Sequence, residues 1–176
     1  MFENLRLKLA RIIIRQKYLR KNVDPIMFNN VISRAQDFFI IMPDSDTDFY
    51  LSMDLLKYLL IHRKSVTLFL PEHKYSLIPE KDKYKYVPFN PLQKTKLFLP
   101  NQVLKDKLKT KTFDVVIDLN RQESVFFSAV VNIVKSNLRI GFNKVNSEPY
   151  YNFQFAETQN NPEVTFRNLL NFLQMF

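Results

Sequence analysis

At 176 residues, with 46% hydrophobic and 24% charged residues, the chain has the size and composition of one globular domain with a sizeable core. The lack of cysteine excludes disulfides, thiol nucleophiles and cysteine metal sites, and two histidines, His62 and His73, cannot build a His-rich one, so no metal is expected. Net charge is +9, but residues 1–21 hold seven basic residues against Glu3 and the rest of the chain carries only +3, which weighs against a nucleic-acid binder built from the whole domain.

The first element predicted is a basic amphipathic helix over residues 2–20, within an N-terminal arm spanning 1–22. Phe2, Leu5, Leu9, Ile12, Ile13 and Gln16 follow the spacing of one helical face, with Leu7 and Ile14 off that stripe. A second helix is expected from Asp24-Pro25, an N-cap followed by proline at the first helical position, to about Gln36. The apolar run Phe38–Met42, ended by Pro43, reads as a strand buried on both faces. A turn at 44–48 leads into a helix over 48–62 and a strand over 65–70, a parallel strand–helix–strand unit. Residues 84–87 are read as a third strand, 96–99 as a short extended piece and 101–109 as a short helix. Phe113–Asp118 is a strand, 123–135 a helix and Leu138–Phe142 another strand. Residues 150–155 form an edge strand, and Asn161-Pro162 opens a last helix. The pattern predicts an α/β three-layer sandwich with a mostly parallel, Rossmann-like sheet over residues 23–176. With a single glycine, Gly141, corners are expected to turn on Asn, Asp and Pro, for example at Asn29-Asn30, Asn143 and Asn160-Asn161.

Ligands of open parallel sheets gather beyond the carboxyl ends of strands. That rule singles out Asp44, Asp46 and Asp48 after the first strand and Asp118 and Asn120 after Phe113–Asp118. The acidic loop contains no glycine and three carboxylates, so it neither cradles nor attracts a phosphate, and no nucleotide cofactor is expected. One of its crowded carboxylates is a candidate general base, while Ser45 and the acids serve equally as a helix cap. Tyr75, Tyr84 and Tyr86 interleave with lysines, as single-strand nucleic-acid surfaces do, though a strand with snorkelling lysines produces the same pattern.

The segments Phe39–Pro43, Thr47-Asp48 and Leu55–Leu59, followed by Phe113–Asn120, Arg139–Phe142 and Asn168–Leu170, resemble in order and spacing the N-terminal domain of glycosyltransferase family 9, the heptosyltransferase-like group with a GT-B fold. The resemblance implies an acceptor-side domain with Asp48 as the catalytic base and Asp44, Asp46, Asp118 and Asn120 on the acceptor side. In the family glycine normally stands where this chain has Thr47, and the donor domain that binds the nucleotide sugar is not among these residues. The reading that follows is a domain without transferase activity of its own, used for binding or assembly with a protein partner. The alternative is an accessory subunit completed by a donor domain in trans. A third role falls to Arg6, Lys8, Arg11, Arg15, Lys17, Arg20 and Lys21, which equip the first helix to lie on an anionic membrane, to dock into a complex or, less readily, to bind RNA. No apolar run reaches the length of a spanning helix and charges interrupt any secretory signal, so a cytoplasmic protein, peripheral at the membrane through this helix, is expected.

Overall fold

The computed structural model describes residues 2–19, 31–156 and 161–175. The run rich in phenylalanine and isoleucine after residue 36 forms β1 (Asp37–Ile41), and β-branched and aromatic residues build β2 (Ser65–Pro71), β3 (Lys85–Phe89), β4 (Thr112–Asp118), β5 (Lys135–Phe142) and β6 (Phe153–Phe155). They form one six-stranded sheet in the order β3-β2-β1-β4-β5-β6 with every pair parallel. The central register places Ile40 beside both Leu68 and Ile117, and Ile117 beside Ile140.

Because side chains alternate along a strand, the sheet has two apolar faces. Phe38, Ile40 and Met42 join Leu68, Ile117 and Ile140 under α2 (Val31–Arg34), α3 (Asp46–Leu51), α4 (Met53–Ile61) and α7 (Pro162–Gln174). Phe39, Ile41, Phe69 and Val116 face the other way, under α1 (Phe2–Lys17), α5 (Gln102–Leu108) and α6 (Val125–Ile133). This is the three-layer, Rossmann-like arrangement expected. All nine residues of α6 are buried, since sheet, α1 and α5 surround it, and a helix enclosed on all sides is apolar on all sides. Side-chain oxygens of Ser45, Asn101, Ser124 and Asn161 accept bonds from the free N–H groups that open α3, α5, α6 and α7.

Several boundaries differ from the sequence reading. The helix expected over 48–62 begins at Asp46 and divides at Ser52, whose hydroxyl donates to the Phe49 carbonyl at 2.7 Å, an alternative to regular helix bonding. Residues 96–99 are a turn, because the Thr95 N–H bonds the Leu99 carbonyl and Phe98 adopts a left-handed φ of 57°. Of the second helix only Val31–Arg34 falls among the described residues; Asp24-Pro25, Asn29-Asn30, Asn160, Arg20 and Lys21 lie outside them.

The first helix packs on the domain with the face opposite to the one its periodicity marks. Ala10 and Ile14 are fully buried against α6, with Leu7 half-buried beside them. Of the predicted stripe, Phe2, Leu5, Leu9 and Ile12 are instead 81%, 55%, 44% and 49% exposed and Gln16 is exposed too, while Ile13 is half-buried against the same core. Arg11 anchors the docked face, its guanidinium donating to Glu123 at 2.7 Å.

The lone glycine makes no turn. Gly141 lies inside β5, where an added Cβ would sit 2.5 Å from the ring of Tyr151, so its role is to let that ring rest on the strand backbone. Left-handed corners fall to Arg63, Glu80, Phe98 and Asn146, of which only Asn146 belongs to the expected turn-formers.

Candidate functional site

In a sheet of order β3-β2-β1-β4-β5-β6 the chain reverses its winding between β1 and β4, and the crevice beyond their carboxyl ends is where such folds hold ligands. The structure brings all five predicted residues to this edge. Asp44 follows β1, Asp46 and Asp48 occupy the first turn of α3, Asp118 ends β4, and Asn120 lies two residues further on.

Asn120 stitches the two loops together. Its amide nitrogen donates to the Met42 carbonyl at 3.2 Å and to Asp118 Oδ1 at 2.8 Å, while its carbonyl oxygen accepts from the Asp44 N–H at 2.9 Å. The Asn120 N–H also donates to Asp118 Oδ1, at 3.1 Å. The whole side chain is thus spent on closing the mouth between β1 and β4.

Three of the carboxylates, Asp46, Asp48 and Asp118, are held by cations of the same chain. Arg121 grips the buried Asp48 in a two-pronged pair, with Nε 3.0 Å from Oδ2 and an Nη nitrogen 3.0 Å from Oδ1. Such a fork occupies both oxygens, and the base proposed at Asp48 must shed it before accepting a proton. Ser45 caps the same turn, accepting from the Asp48 N–H at 3.5 Å, so the capping and acidic roles coexist. Lys74 is buried beneath the loop, donating to the Asp44 carbonyl at 2.5 Å and pairing with Asp46 at 2.8 Å. This hydrogen bond and the lysine charge hold the exposed Asp46 carboxyl below its ordinary value. Lys74 Nζ also lies 5.0 Å from the centre of the Phe49 ring, within reach of a cation–π contact.

Deeper in, Asp118 is enclosed. Lys144 Nζ donates to its Oδ2 at 2.7 Å, and the Tyr151 hydroxyl donates to the same oxygen at 2.5 Å. The Lys144 side chain, Tyr151 and Asp118 are all buried, and burial, then the neighbouring Asp118 charge, pushes the Tyr151 phenol well above its usual range. The phenol is therefore a fixed donor rather than an acid.

Beside this plug a cavity of ≈ 300 Å³ opens over the ends of β2 and β3, where Asp44, Glu72, His73, Asn90 and Lys94 meet. Of its polar groups, Asn90 donates to Glu72 at 3.3 Å, and Lys94 Nζ stands 4.6 Å from the Phe126 ring centre and 5.4 Å from that of Phe89. Among the described residues no three His, Asp or Glu side chains are grouped to hold a metal ion, and no helix is long and apolar enough to cross a membrane.

The remaining candidates lie elsewhere. His62 ends α4 with its ring 4.4 Å from Tyr58, and His73 is exposed. Tyr75, Tyr84 and Tyr86 pack edge to face on one another, and burial first of all pushes Tyr84 and Tyr86 up to about 12. Arg6, Lys8, Arg15 and Lys17 are exposed along α1. Arg121, Lys144 and Tyr151 were not singled out from the sequence. Arg121 carried a faint signal as the cation directly after a strand-end Asp-Leu-Asn, whereas Lys144 and Tyr151 reach Asp118 only through the fold.

Comparison with known proteins adds little to this geometry. Residues 11–176 match a family described as a family of unknown function, DUF6913. No protein of curated function matches. A mutant form of enoyl thioester reductase from Candida tropicalis aligns over 95% of this chain at 9% identity with a TM-score of 0.43, and this chain spans 47% of its length.

Proposed function

We propose that this chain, which belongs to the DUF6913 family of unknown function, is a Rossmann-like domain that serves as a binding or assembly subunit without catalysis of its own. One observation carries the reading: at the edge where the fold would receive a ligand, Asp46, Asp48 and Asp118 each hold a cation of their own chain and Asn120 seals the gap between β1 and β4. A site satisfied internally gives up those bonds before it gains a ligand's, so ligand affinity there is low. The partner is a protein or a larger complex, and the cysteine-free chain fits a reducing cytoplasm.

Thermal unfolding with nucleotides, dinucleotides and nucleotide sugars tests this. A ligand present at about a hundred times its Kd stabilises by roughly 2.7 kcal/mol and raises Tm by several degrees; no such rise is expected. A clear rise with any of them, or sugar transfer by the purified chain from a nucleotide-sugar donor, overturns the proposal.

The glycosyltransferase-like alternative keeps the same fold but gives Asp48 a task, with a donor domain supplied in trans and Arg121 leaving the carboxylate when the two halves meet. The position of Asp48 in the first turn of the helix after β1 is what favours it. If Asp48→Asn leaves the activity of the reconstituted pair unchanged, Asp48 is not the base.

A further inference from the structure

We infer that α1 is an interfacial membrane helix, holding the domain on an anionic lipid surface through its outward stripe. The inference adds a lipid surface to the protein partner of the binding role proposed above and rests on that reading.

A helix turning about 100° per residue places Phe2, Leu5, Leu9 and Ile12 on one face, at spacings of three, four and three. That face points away from the domain, since Ala10 and Ile14 on the opposite side are fully buried and Arg11 beside them is tied to Glu123. The stripe is therefore left over after the helix has met its own packing requirement. A single exposed leucine needs no explanation, whereas four large apolar side chains aligned over three turns form a contiguous patch.

The borders of the stripe identify the occupant. Lys8 and Arg15, seven residues apart, flank it on one side, and Arg6 and Lys17, eleven apart, on the other; all four are exposed. The sole acid of the helix, Glu3, falls toward the domain-facing side. An apolar stripe with cations along both edges matches a lipid interface, where the stripe enters the acyl boundary and the long cations reach anionic headgroups on either side. A second copy of this chain fits poorly, because two such stripes meeting across a two-fold axis bring their cationic borders together. An anionic bilayer satisfies both the stripe and its charges.

The test is flotation of the full chain with phosphatidylcholine vesicles and with vesicles in which phosphatidylglycerol replaces about a third of the lipid. Binding to the anionic vesicles is expected to exceed binding to the neutral ones and to weaken with salt. Each cation near the surface contributes about fivefold, so Lys8→Gln with Lys17→Gln lowers partitioning about 25-fold. Leu5→Glu with Leu9→Glu abolishes it while leaving Tm unchanged, because neither side chain supports the core. Absence of binding to anionic vesicles, undiminished binding by the Leu5→Glu, Leu9→Glu variant, or a lipid-free dimer lost in that variant would each overturn the inference. Nucleotide titration probes the crevice and vesicles probe the helix, so either reading can fail alone.

Discussion

The carboxyl edge of the sheet and the outer face of α1 are treated in opposite ways by the same chain. At the edge, polar groups brought together by the winding of the fold are matched inwardly: Asp118 by Lys144 and Tyr151, Asp48 by Arg121, and the two loops by Asn120. On α1, apolar groups whose burial would stabilise the chain stay in water, flanked by the exposed Arg6, Lys8 and Lys17. Asn120 closes the mouth between β1 and β4, with a cavity of ≈ 300 Å³ beside it, while α1 turns an apolar stripe outward.

The sharpest way to break the comparison is to open the edge. Lys144→Met removes the cation from the buried Asp118 carboxylate and is expected to cost about 3–5 kcal/mol in urea unfolding, because the charge left behind has no water to take the lysine's place. Adding Asp118→Asn should restore part of that loss, as expected of two groups that act as one. A loss near zero would mean that water already reaches Asp118, and the crevice would then count as open.

The two sides of α1 supply the next contrast. Ile14→Ala empties a buried position against α6 and is expected to cost about 2–4 kcal/mol. Ile12→Ala, two residues away on the outer stripe, should stay within about 0.5 kcal/mol. Equal costs would show that something already covers the stripe in solution.

The strands were legible because the inner ones carry apolar runs, Phe38–Ile41 in β1 and Val115–Ile117 in β4, and Asn161-Pro162 announced α7 through its capping chemistry. Which face of α1 meets the domain was not legible, for a physical reason. Periodicity selects the widest stripe of large apolar residues, but a helix packed closely on α6 uses small Ala10 and a single Ile14, which score weakly. Gly141, placed by the sequence within a strand, matters for the space it leaves to Tyr151, a contact between residues ten apart that no local rule contains. At the site, strand ends pointed to Asp48, Asp118 and Asn120, since topology places them. Their neutralising partners come from separate loops, and only the folded register brings Lys144 and Tyr151 to Asp118.

The smallest effect belongs to the opposite, amino-terminal edge, where Lys111 pairs with Asp37 half in solvent. The hydrogen bond from Lys111 lowers the Asp37 carboxyl below its ordinary 3.8, outweighing the upward push of partial burial, with Ser65 and Lys85 helping. As pH falls, the unfolded chain takes up this proton first, so the pair's contribution is complete above the unfolded value and disappears as pH drops through the folded one. An exposed pair of this kind contributes about 0–1 kcal/mol. Lys111→Gln should therefore lower stability slightly at neutral pH, and the gap from wild type should close in urea unfolding below about pH 4. A gap that persists in acid would mean that Lys111 acts through its contact with the Phe113 ring, 5.1 Å away, rather than through the carboxylate.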